Sequence, residues 1–412
     1  MRALEISRKV GKFAVARLVS PISTSGAASI GPLSLVKRDP PALPGAPGWS
    51  RIRPRLTGIC GSDLALVEGH ASTYFDDWVS FPFVPGHEIV ADGDDGRRVV
   101  LEPVLGHAAR GLPPPFEGAA PGDGNDYAHL VCGHLKPGIQ TGFCQSTGGG
   151  WSTELIAHES QLHDVPDAVT DEQALLVEPA AGGIHAALAV WPHVHAARER
   201  GETPVVAVLG GGTMGLCAVA GLVRYLPDAR VIVGARYPHQ QALARHLGAH
   251  VVVPAPDLAR AVRREVGCHV VGDYLSGGAH ASIDAVGTSE SIADCLRLTR
   301  PRGRIVLLGM PAQVSVDLTG LWHRETIISG AYTYGTETMP DGRRARTFDL
   351  ALETVASSGL DRLLSATYRL EEYRDALAHA AHAGRRGAVK IAFDFRSPVV
   401  PDDERSTTKE TR

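Results

Sequence analysis

The feature that most constrains the fold is a glycine-rich turn between an apolar strand pattern and an apolar helix pattern. Residues 205–209 read Val-Val-Ala-Val-Leu, which is typical of a buried strand. Gly-Gly-Gly-Thr-Met-Gly follows at residues 210–215 and opens an apolar helix pattern that continues to Tyr225. The G-x-G-x-x-G spacing in this strand–turn–helix context predicts a dinucleotide-binding unit.

Each position of the turn has a physical role in holding a nucleotide. Gly210 permits the tight turn, Gly212 lets the backbone approach a pyrophosphate, and Gly215 lets the helix and the strand pack closely. Thr213 and Met214 begin the helix, whose free amides face the phosphates. The alternative is a glycine-rich turn that binds no ligand.

The end of the next predicted strand, residues 231–233, bears on the choice of cofactor. An NAD site usually carries Asp or Glu there, bonded to the ribose 2′-hydroxyl. This chain has Gly-Ala-Arg-Tyr at residues 234–237 and no acid. Arg236 can pair with a 2′-phosphate, so the sequence favours NADP(H) over NAD(H). Alternatively, Arg236 is a solvated surface side chain and NAD binds through backbone groups.

Strand and helix patterns alternate from about residue 186 to residue 330, which predicts a parallel sheet with helices on both faces. Short apolar runs between glycines and prolines fill the first 185 residues and predict many short strands. We therefore expect an α/β chain in which residues 1–185 and 331–412 form a catalytic domain and residues 186–330 form a doubly wound, dinucleotide-binding domain.

After residue 330 the pattern is mixed. Helices are predicted at residues 348–357 and 370–383, and a last strand at residues 388–395. The polar tail from Ser397 is predicted to be disordered.

Composition excludes several classes of protein. A chain of 412 residues suggests about two domains. Its net charge of -4 provides no basic field for nucleic acid, and no stretch reaches the roughly 18 apolar residues of a membrane span. We expect neither nucleic acid nor membrane as a partner. Six cysteines are too few for a disulfide framework, and no apolar core follows the basic N-terminus, so we expect a cytoplasmic protein.

Three further residues, each in a turn marked by glycine or proline, form a second constellation. Cys60, His87 and Glu178 offer a thiolate, an imidazole and a carboxylate. Zn²⁺ accepts this mixed set, and three protein ligands leave one position open for a substrate oxygen. Taken singly, each has a simpler explanation: a buried cysteine usually acts as a small hydrophobe, Gly-His-Glu is usually a turn, and an acid favours a helix start.

Together these motifs resemble the zinc-dependent medium-chain dehydrogenase/reductase superfamily, the group of alcohol, sorbitol and threonine dehydrogenases. The resemblance extends from about Pro54 to Phe395. Its motifs, in chain order, are residues 58–63 (Gly-Ile-Cys-Gly-Ser-Asp), 86–88 (Gly-His-Glu), 102–103 and 178–179 (Glu-Pro), the glycine turn, and 284–287 (Asp-Ala-Val-Gly). It implies a GroES-like, partly barrel-like β catalytic domain that is interrupted by a Rossmann domain.

The resemblance also implies roles for single residues. Cys60 and His87 match two ligands of a catalytic zinc, and Glu178 takes the place of the third, as in the sorbitol dehydrogenase branch. Glu88 matches an acid that in this branch approaches the zinc or helps to hold a metal-bound water. Asp63 matches a residue that orients His87 through its free ring nitrogen.

The proton path and the nicotinamide site follow from the same comparison. Ser62 matches the hydroxyl that hands on the substrate proton. Many relatives have a histidine three residues later, where this chain has Ala65. His70 and His185 are candidate substitutes, or they are ordinary hydrogen-bonded histidines. The positions that match strand ends near the nicotinamide are Val286, Leu308 and Gly309.

Many relatives hold a second, structural zinc in a lobe with four closely spaced cysteines. The corresponding residues 106–115 contain no cysteine. Cys132 and Cys144 stand later, and an altered site would need them together with His107, His129 or His134. We expect instead that the structural zinc is absent, because such sites use four ligands and favour thiolates. The lobe would then depend on its prolines and on packing.

The expected function is the oxidation of a secondary alcohol or polyol, or the reduction of the matching ketone. By analogy the chain would form a homodimer or homotetramer. The aromatic residues that are candidates for a substrate pocket, or equally for the core, are Tyr74, Phe75, Trp78 and Trp151. Two alternatives remain: a zinc-free, NADPH-dependent quinone or enone reductase, and a catalytically silent NADP-binding protein.

Overall fold

The computed structural model describes residues 1–396, so the tail predicted from Ser397 lies outside the described residues. The strands β1–β10 are Arg2–Ile6, Leu33–Lys37, Trp49–Gly58, Ile89–Gly93, Arg98–Leu101, Leu155–His158, Leu162–Asp164, Val205–Leu209, Arg230–Ala235 and Val251–Pro254. The strands β11–β19 are Val270–Val271, Tyr274–Leu275, Ala279–Asp284, Thr299–Leu307, Ile327–Gly330, Thr336–Thr338, Arg344–Arg346, Leu364–Tyr368 and Lys390–Asp394.

The α-helices α1–α13 are Val10–Val19, Thr24–Ile30, Gly61–Val67, Asp171–Ala174, Val177–Ala189, Trp191–Glu199, Thr213–Tyr225, Pro238–His246, Leu258–Val266, Ser289–Leu298, Thr319–His323, Thr347–Ser358 and Tyr373–Ala381. Short 3₁₀ turns cover Thr73–Trp78, Ala108–Arg110, Ala128–Val131, Glu159–Gln161, Ala255–Asp257, Leu360–Leu363, Leu370–Glu372 and Ala383–Arg386. Within residues 1–396, no helix is long and apolar enough to span a membrane.

The first main sheet has six strands in the order β10-β9-β8-β13-β14-β15, and all its pairs are parallel. Every residue of β8 is buried, as its continuous apolar run predicts. The strand order reverses between β8 and β13, so a crevice opens there at the carboxyl ends of the strands. This sheet confirms the doubly wound parallel fold expected from the sequence.

The second main sheet contains strands from both an early and a late part of the chain. Its order is β18-β19-β3-β4-β5-β7, with β6 also paired to β3. The late strand β19 runs antiparallel to β3, with Asp394 opposite Leu56, so the chain leaves this sheet, builds the parallel one and returns. The predicted boundary at residue 185 falls inside helix α5, and the division into domains remains a prediction.

Two helices near the N-terminus depart from the prediction of short strands. β1 and β2 pair as an antiparallel hairpin, and their connection carries α1 and α2. Ser23 caps α2 by accepting a hydrogen bond from the Gly26 amide at 3.0 Å. These helices bury the small side chains of Ala16, Ala27 and Ala28, a pattern too sparse to indicate a helix from the sequence.

Candidate active site

Cys60 lies where β3 gives way to helix α3. It is the N-cap residue of that helix, so its position is fixed by the first turn. The Cys60 amide donates to Asp63 Oδ2 at 2.9 Å, while the Cys60 side chain accepts from the Asp63 amide. This reciprocal arrangement holds the thiol at a defined place in the turn.

His87 precedes β4 and is almost completely buried. Gly86 before it has φ +94°, and a Cβ there would lie 2.4 Å from Trp151, so only glycine fits. The His87 Nδ1 atom faces Asp63 Oδ1 at 3.6 Å, and neither atom has a hydrogen-bond partner. Burial lowers the pKa of His87, but the Asp63 carboxylate and the hydrogen-bonded Cys60 thiol raise it well above its usual value.

Glu178 lies in the first turn of α5. Its Oε1 accepts a hydrogen bond from the hydroxyl of Tyr334 at 2.8 Å. Burial raises the pKa of Glu178 to about 7, although the nearby His87 opposes this shift. Tyr334 was not among the residues predicted from the sequence, because no motif surrounds it and it comes from a segment more than 150 residues away.

Glu88 is engaged by a residue that sequence reasoning also missed. Its carboxylate forms a buried ion pair with Lys390 of β19. The Lys390 ammonium also donates to the carbonyl of Ile59 at 3.2 Å. The structure therefore directs Glu88 to Lys390, and the predicted approach of Glu88 to a metal would need this pair to open.

The predicted zinc ligands are neighbours, but they are not yet gathered into a ligand set. Within residues 1–396, no three Cys, His, Asp or Glu side chains lie close enough to hold a metal ion as they stand. The donor chemistry nevertheless fits zinc, since Cys60 and Glu178 lie near enough to His87 to raise its pKa. In the described part of the chain, the only side-chain hydrogen bond to Glu178 comes from the Tyr334 hydroxyl to Oε1, which leaves Oε2 for a metal. The ligand assignment remains a prediction.

The candidates for a proton path are held in separate hydrogen bonds. Ser62 is in the first turn of α3, partly buried. His70 contacts Ser20 through its Nε2 at 3.2 Å, and His185 contacts Glu337 Oε1 through its Nδ1 at 2.6 Å. The structure gives neither histidine a contact with Ser62, and their roles stay open.

Of the four aromatic pocket candidates, Trp151 belongs to the core. It is fully buried, its indole donates to the Gly58 carbonyl at 3.3 Å, and its ring meets Phe393 edge-on. Tyr74 is exposed, while Phe75 and Trp78 are partly buried in the same 3₁₀ turn. Packing against the sheet thus explains Trp151 without a substrate.

The glycine turn has the geometry that nucleotide binding requires. Gly210 adopts φ +101°, and a Cβ on Gly215 would lie 2.0 Å from the Gly210 carbonyl oxygen. A Cβ on Gly212 would meet nothing within 4 Å, which leaves open space in front of the turn. Helix α7 begins at Thr213, followed by Met214, so its first amides point out of this turn.

The predicted nicotinamide positions lie side by side at the ends of β13 and β14. A Cβ on Gly309, which follows the buried Leu308, would lie 2.6 Å from the carbonyl carbon of Val286. Asp284 fixes this turn by accepting from the Val286 amide at 2.8 Å and from the Gly287 amide at 3.1 Å. The exposed Val286 therefore stands at the crevice on a rigid backbone.

Arg236 is the first residue after β9 and is exposed, with its guanidinium 5.7 Å from the ring centre of Tyr237. It lines a cavity of about 590 Å³. The other polar residues of the wall come from four parts of the chain: Ser20 and Thr24; Glu68 and His70; Tyr237 and Gln240; His382 and Arg385. Thr24 donates to Glu68 at 2.8 Å, so this acid is already engaged.

The cysteines of the lobe do not form a group with its histidines. Cys144 is buried and donates to the Lys136 carbonyl at 3.5 Å, whereas Cys132 is exposed. The rings of His107 and His129 stack on one another with centres 4.0 Å apart. The lobe of the described structure therefore presents no tetrahedral set of donors.

Comparisons with known proteins were made with this geometry in hand. Residues 46–167 match the family described as alcohol dehydrogenase GroES-like domain, and residues 213–345 match the zinc-binding dehydrogenase family. A provisionally named D-xylulose reductase of Agrobacterium fabrum is 29% identical over 83% of this chain and 91% of its own. L-idonate 5-dehydrogenase of Vitis vinifera is 24% identical over 88% of this chain and 93% of its own.

A solved structure shows the same fold over nearly its whole length. The crystal structure of 2R,3R-butanediol dehydrogenase from Bacillus subtilis superposes with a TM-score of 0.62 at 19% sequence identity. The superposition covers 88% of this chain and 96% of the Bacillus subtilis chain.

Proposed function

Since this chain belongs to the zinc-dependent medium-chain dehydrogenase/reductase family, we propose that it exchanges a hydride between a secondary alcohol or polyol and a nicotinamide cofactor. The observation that carries the proposal is the meeting of Cys60 with His87 near Glu178, in a chain whose parallel sheet also carries an intact glycine turn. A dinucleotide site alone would suit many reactions, but a thiolate–imidazole–carboxylate set suits a metal that acts on oxygen.

The substrate class is supported by the relatives. Xylulose is a ketose, position 5 of idonate carries a secondary hydroxyl, and both hydroxyls of butanediol are secondary. These substrates differ in length and charge but share a carbon that cycles between a secondary alcohol and a ketone. We therefore propose this reacting group for the present chain, with the carbonyl compound as substrate in the reverse direction.

We propose that Cys60, His87 and Glu178 hold one zinc ion. When bound, the metal would supply a Lewis acid for the oxygen at the reacting carbon. The chain's own residues prepare the place: the capping turn fixes Cys60, Asp63 faces the second ring nitrogen of His87, and Tyr334 keeps Glu178 at hand. Lys390 forms an ion pair with Glu88, so the Glu88 carboxylate does not add an unpaired negative charge to the site.

We propose that the remaining steps are carried by the chain in the following way. The amides at the start of α7 bind the pyrophosphate, and Asp284 holds the backbone around Val286 rigid beside the nicotinamide. Ser62, in the first turn of α3 two residues after Cys60, is the hydroxyl proposed to pass the substrate proton outward. A rigid crevice favours hydride transfer because it removes the cost of orienting the two reactants.

NADP(H) is the proposed cofactor. Arg236 follows β9 directly, where a ribose 2′-substituent would lie, and it opens onto the cavity of about 590 Å³. Arg385 lines the same cavity from the C-terminal part of the chain. Two guanidinium groups that line one cavity favour a dianion there, since each can offer paired hydrogen bonds to phosphate oxygens.

A turnover screen tests the reaction and the cofactor together. Secondary alcohols, polyols and ketones would be offered with NADP(H) and NAD(H), with quinones and enones as controls. The proposal predicts turnover of the first group, and Arg236→Asp should shift the preference towards NAD. Turnover of quinones alone, with zinc absent, would favour a metal-free reductase. Cofactor binding without any turnover would favour a silent binding protein.

We also propose that the chain acts as a homo-oligomer in the cytoplasm. Strand β15 is an edge of the six-stranded sheet, and nearby apolar side chains are exposed, Trp322 at 80% and Ile327 at 49%. A second copy that pairs with this edge would cover both the open backbone groups and the apolar surface. All six cysteines are free thiols, which suits a reducing compartment.

A further inference from the structure

The lobe between β5 and β6 has almost no regular structure to hold it. Residues 105–145 contain two 3₁₀ turns, and one isolated β-bridge joins Val104 to Gln140 at its base. Loops of this length with so little secondary structure of their own are uncommon inside compact proteins. The two cysteines of the lobe are both free.

Arg110 lies at the centre of this lobe and is completely buried. Its guanidinium donates to three stretches of backbone that are far apart in the lobe. The Nε atom donates to the Leu105 carbonyl at 3.0 Å, Nη1 to the Cys132 carbonyl at 2.9 Å, and Nη2 to the Gly138 carbonyl at 2.6 Å. Only the planar fork of arginine can reach three such acceptors at once.

The backbone around Arg110 bonds to it and packs closely against it. The His134 amide donates to the Arg110 carbonyl at 3.3 Å, so the residue is bonded through both its side chain and its main chain. Gly133 adopts φ +81°, and a Cβ there would lie 2.3 Å from the Arg110 carbonyl oxygen. The second half of the lobe can therefore close over Arg110 only because residue 133 is glycine.

The charge of Arg110 has no acidic partner. Within residues 1–396 no carboxylate forms an ion pair with it, and burial lowers its pKa. Backbone carbonyl dipoles take the place of the counter-ion, as they do around cations that are bound by oxygen ligands. A buried charge that is satisfied in this way is a costly arrangement to break, because removing the arginine leaves several carbonyls without donors.

We propose that the guanidinium of Arg110 is the cross-link of this lobe, in the place where related proteins use a structural metal, and that the lobe takes up no metal ion. The donor groups of the lobe support both parts of this proposal. It occupies the centre with three hydrogen bonds, while Cys132 points to solvent and Cys144 is committed to the Lys136 carbonyl. One exposed thiol and one thiol that is already hydrogen-bonded do not make up the four ligands of a tetrahedral zinc site.

The lobe also contacts the segment that contains Tyr334, the hydrogen-bond partner of Glu178. Its Asp123 accepts from the Thr336 amide at 2.8 Å and from the Thr336 hydroxyl at 2.6 Å. Gly122 lies so close to the next segment that a Cβ would come within 2.0 Å of the Tyr334 carbonyl oxygen. Tyr334 in turn holds Glu178. Arg110 is thus a positioning residue: it acts on Glu178 through the lobe and Tyr334.

The test compares the stability of the lobe in several forms of the full chain. Arg110→Met removes the charge at similar size, Arg110→Lys keeps the charge without the fork, and Arg260→Met is the control at an exposed arginine. Limited proteolysis with mapping of the cut sites measures how often residues 105–145 open. We expect roughly tenfold faster cleavage within the lobe for Arg110→Met, an intermediate rate for Arg110→Lys, and no change for the control.

Two further measurements keep the test decisive if Arg110→Met does not fold. Millimolar guanidinium should slow the cleavage of an Arg110→Ala lobe, whereas ammonium at the same concentration should not. Treatment of the wild type with a chelator should remove its zinc and leave lobe cleavage unchanged. A lobe that opens on chelation, or an Arg110 variant that is cleaved like the control, would overturn the proposal.

None of these readouts needs catalysis, so the result stands apart from the proposed reaction. The positioning role has its own measurement, which is the zinc affinity of the Arg110→Lys variant. We expect weaker zinc binding at Cys60, His87 and Glu178 than in the control variant, because Tyr334 is less firmly placed. Unchanged zinc affinity, together with faster lobe cleavage, would confine Arg110 to the lobe and overturn the positioning role.

Discussion

At the residue scale, the partners of Glu178 and Glu88 show what the motifs leave out. The sequence predicts the two carboxylates from Gly-His-Glu and Glu-Pro, because these short signatures are local. Their partners, Tyr334 and Lys390, come from segments more than 150 residues away and carry no signature. Long-range contacts of this kind depend on the whole fold, so that a local reading of the chain cannot supply them.

Removing the hydroxyl of Tyr334 should weaken zinc binding. In Tyr334→Phe, Glu178 loses the hydrogen bond that keeps its carboxylate in place, and a bond of this kind is worth about 0.5–1.5 kcal/mol. We expect up to about tenfold lower zinc affinity, measured by competition with a chromogenic chelator. Tyr332→Phe, in the same segment, is the control. Tighter zinc binding in Tyr334→Phe would show that Tyr334 competes with the metal for Glu178 and does not support the ligand set.

Two glycines of the cofactor turn should respond in opposite ways to the same change. Gly215→Ala places a Cβ 2.0 Å from a backbone oxygen, so we expect a loss of stability of about 1–3 kcal/mol or more. Gly212→Ala meets open space and should fold normally, yet lose about tenfold in NADPH affinity because its methyl group stands where the pyrophosphate approaches.

Thermal unfolding without nucleotide and a fluorescence titration with NADPH separate these two effects. The role of Gly212 would be contradicted if Gly212→Ala binds NADPH as the wild type does. The role of Gly215 would be contradicted if Gly215→Ala is as stable as the wild type.

At the element scale, strand β7 and helix α12 are joined by a buried histidine. His163 contacts Glu102 Oε2 through Nε2 at 2.9 Å and faces Asp349 Oδ1 through Nδ1 at 3.4 Å. Arg346 also forms an ion pair with Glu102, and its positive charge lowers the pKa of His163. Burial lowers the pKa of His163, but the two carboxylates raise it above its usual value, while the contact with His163 lowers the pKa of Asp349.

This histidine should make stability fall as pH rises. Because the pKa of His163 is higher in the folded chain than in the unfolded one, its contribution is fully present below the unfolded pKa of about 6.5 and is lost as pH rises through the folded pKa. Urea unfolding from pH 6 to pH 9 should show a steeper decline for the wild type than for His163→Gln. Parallel curves for the two proteins would refute the link.

The elements also differ in how far the sequence predicts them. The sequence predicts a parallel sheet within residues 186–330 because buried strands such as β8 and β13 are short, nearly continuous apolar runs. It does not predict helices α1 and α2 or the lobe at residues 105–145, since their glycine, serine and proline content has no period. The prediction that the lobe depends on prolines and packing remains untested, and the hydrogen bonds of Arg110 add a contact that the sequence does not indicate.

At the scale of the whole molecule, the exposed edge of the six-stranded sheet is the clearest sign of assembly. Ile327→Asp places a charge on the open edge strand, and Trp322→Arg does so on the neighbouring helix α11. If copies pair there, either change should lower the mass in sedimentation by at least half, with the secondary structure intact. The exposed Leu18→Arg on α1 is the control. An unchanged mass in both edge variants would place the interface elsewhere.

We propose that the whole chain holds a single metal ion, beside Cys60 and His87, and that the lobe contains none. The most direct test is the zinc content per chain of the purified wild type, of Cys60→Ala and of Cys132→Ala, measured by elemental analysis alongside alcohol turnover. The account predicts about one zinc for the wild type and for Cys132→Ala, and neither zinc nor turnover for Cys60→Ala. Two zinc ions in the wild type, a loss of zinc in Cys132→Ala, or turnover that survives in Cys60→Ala would contradict it.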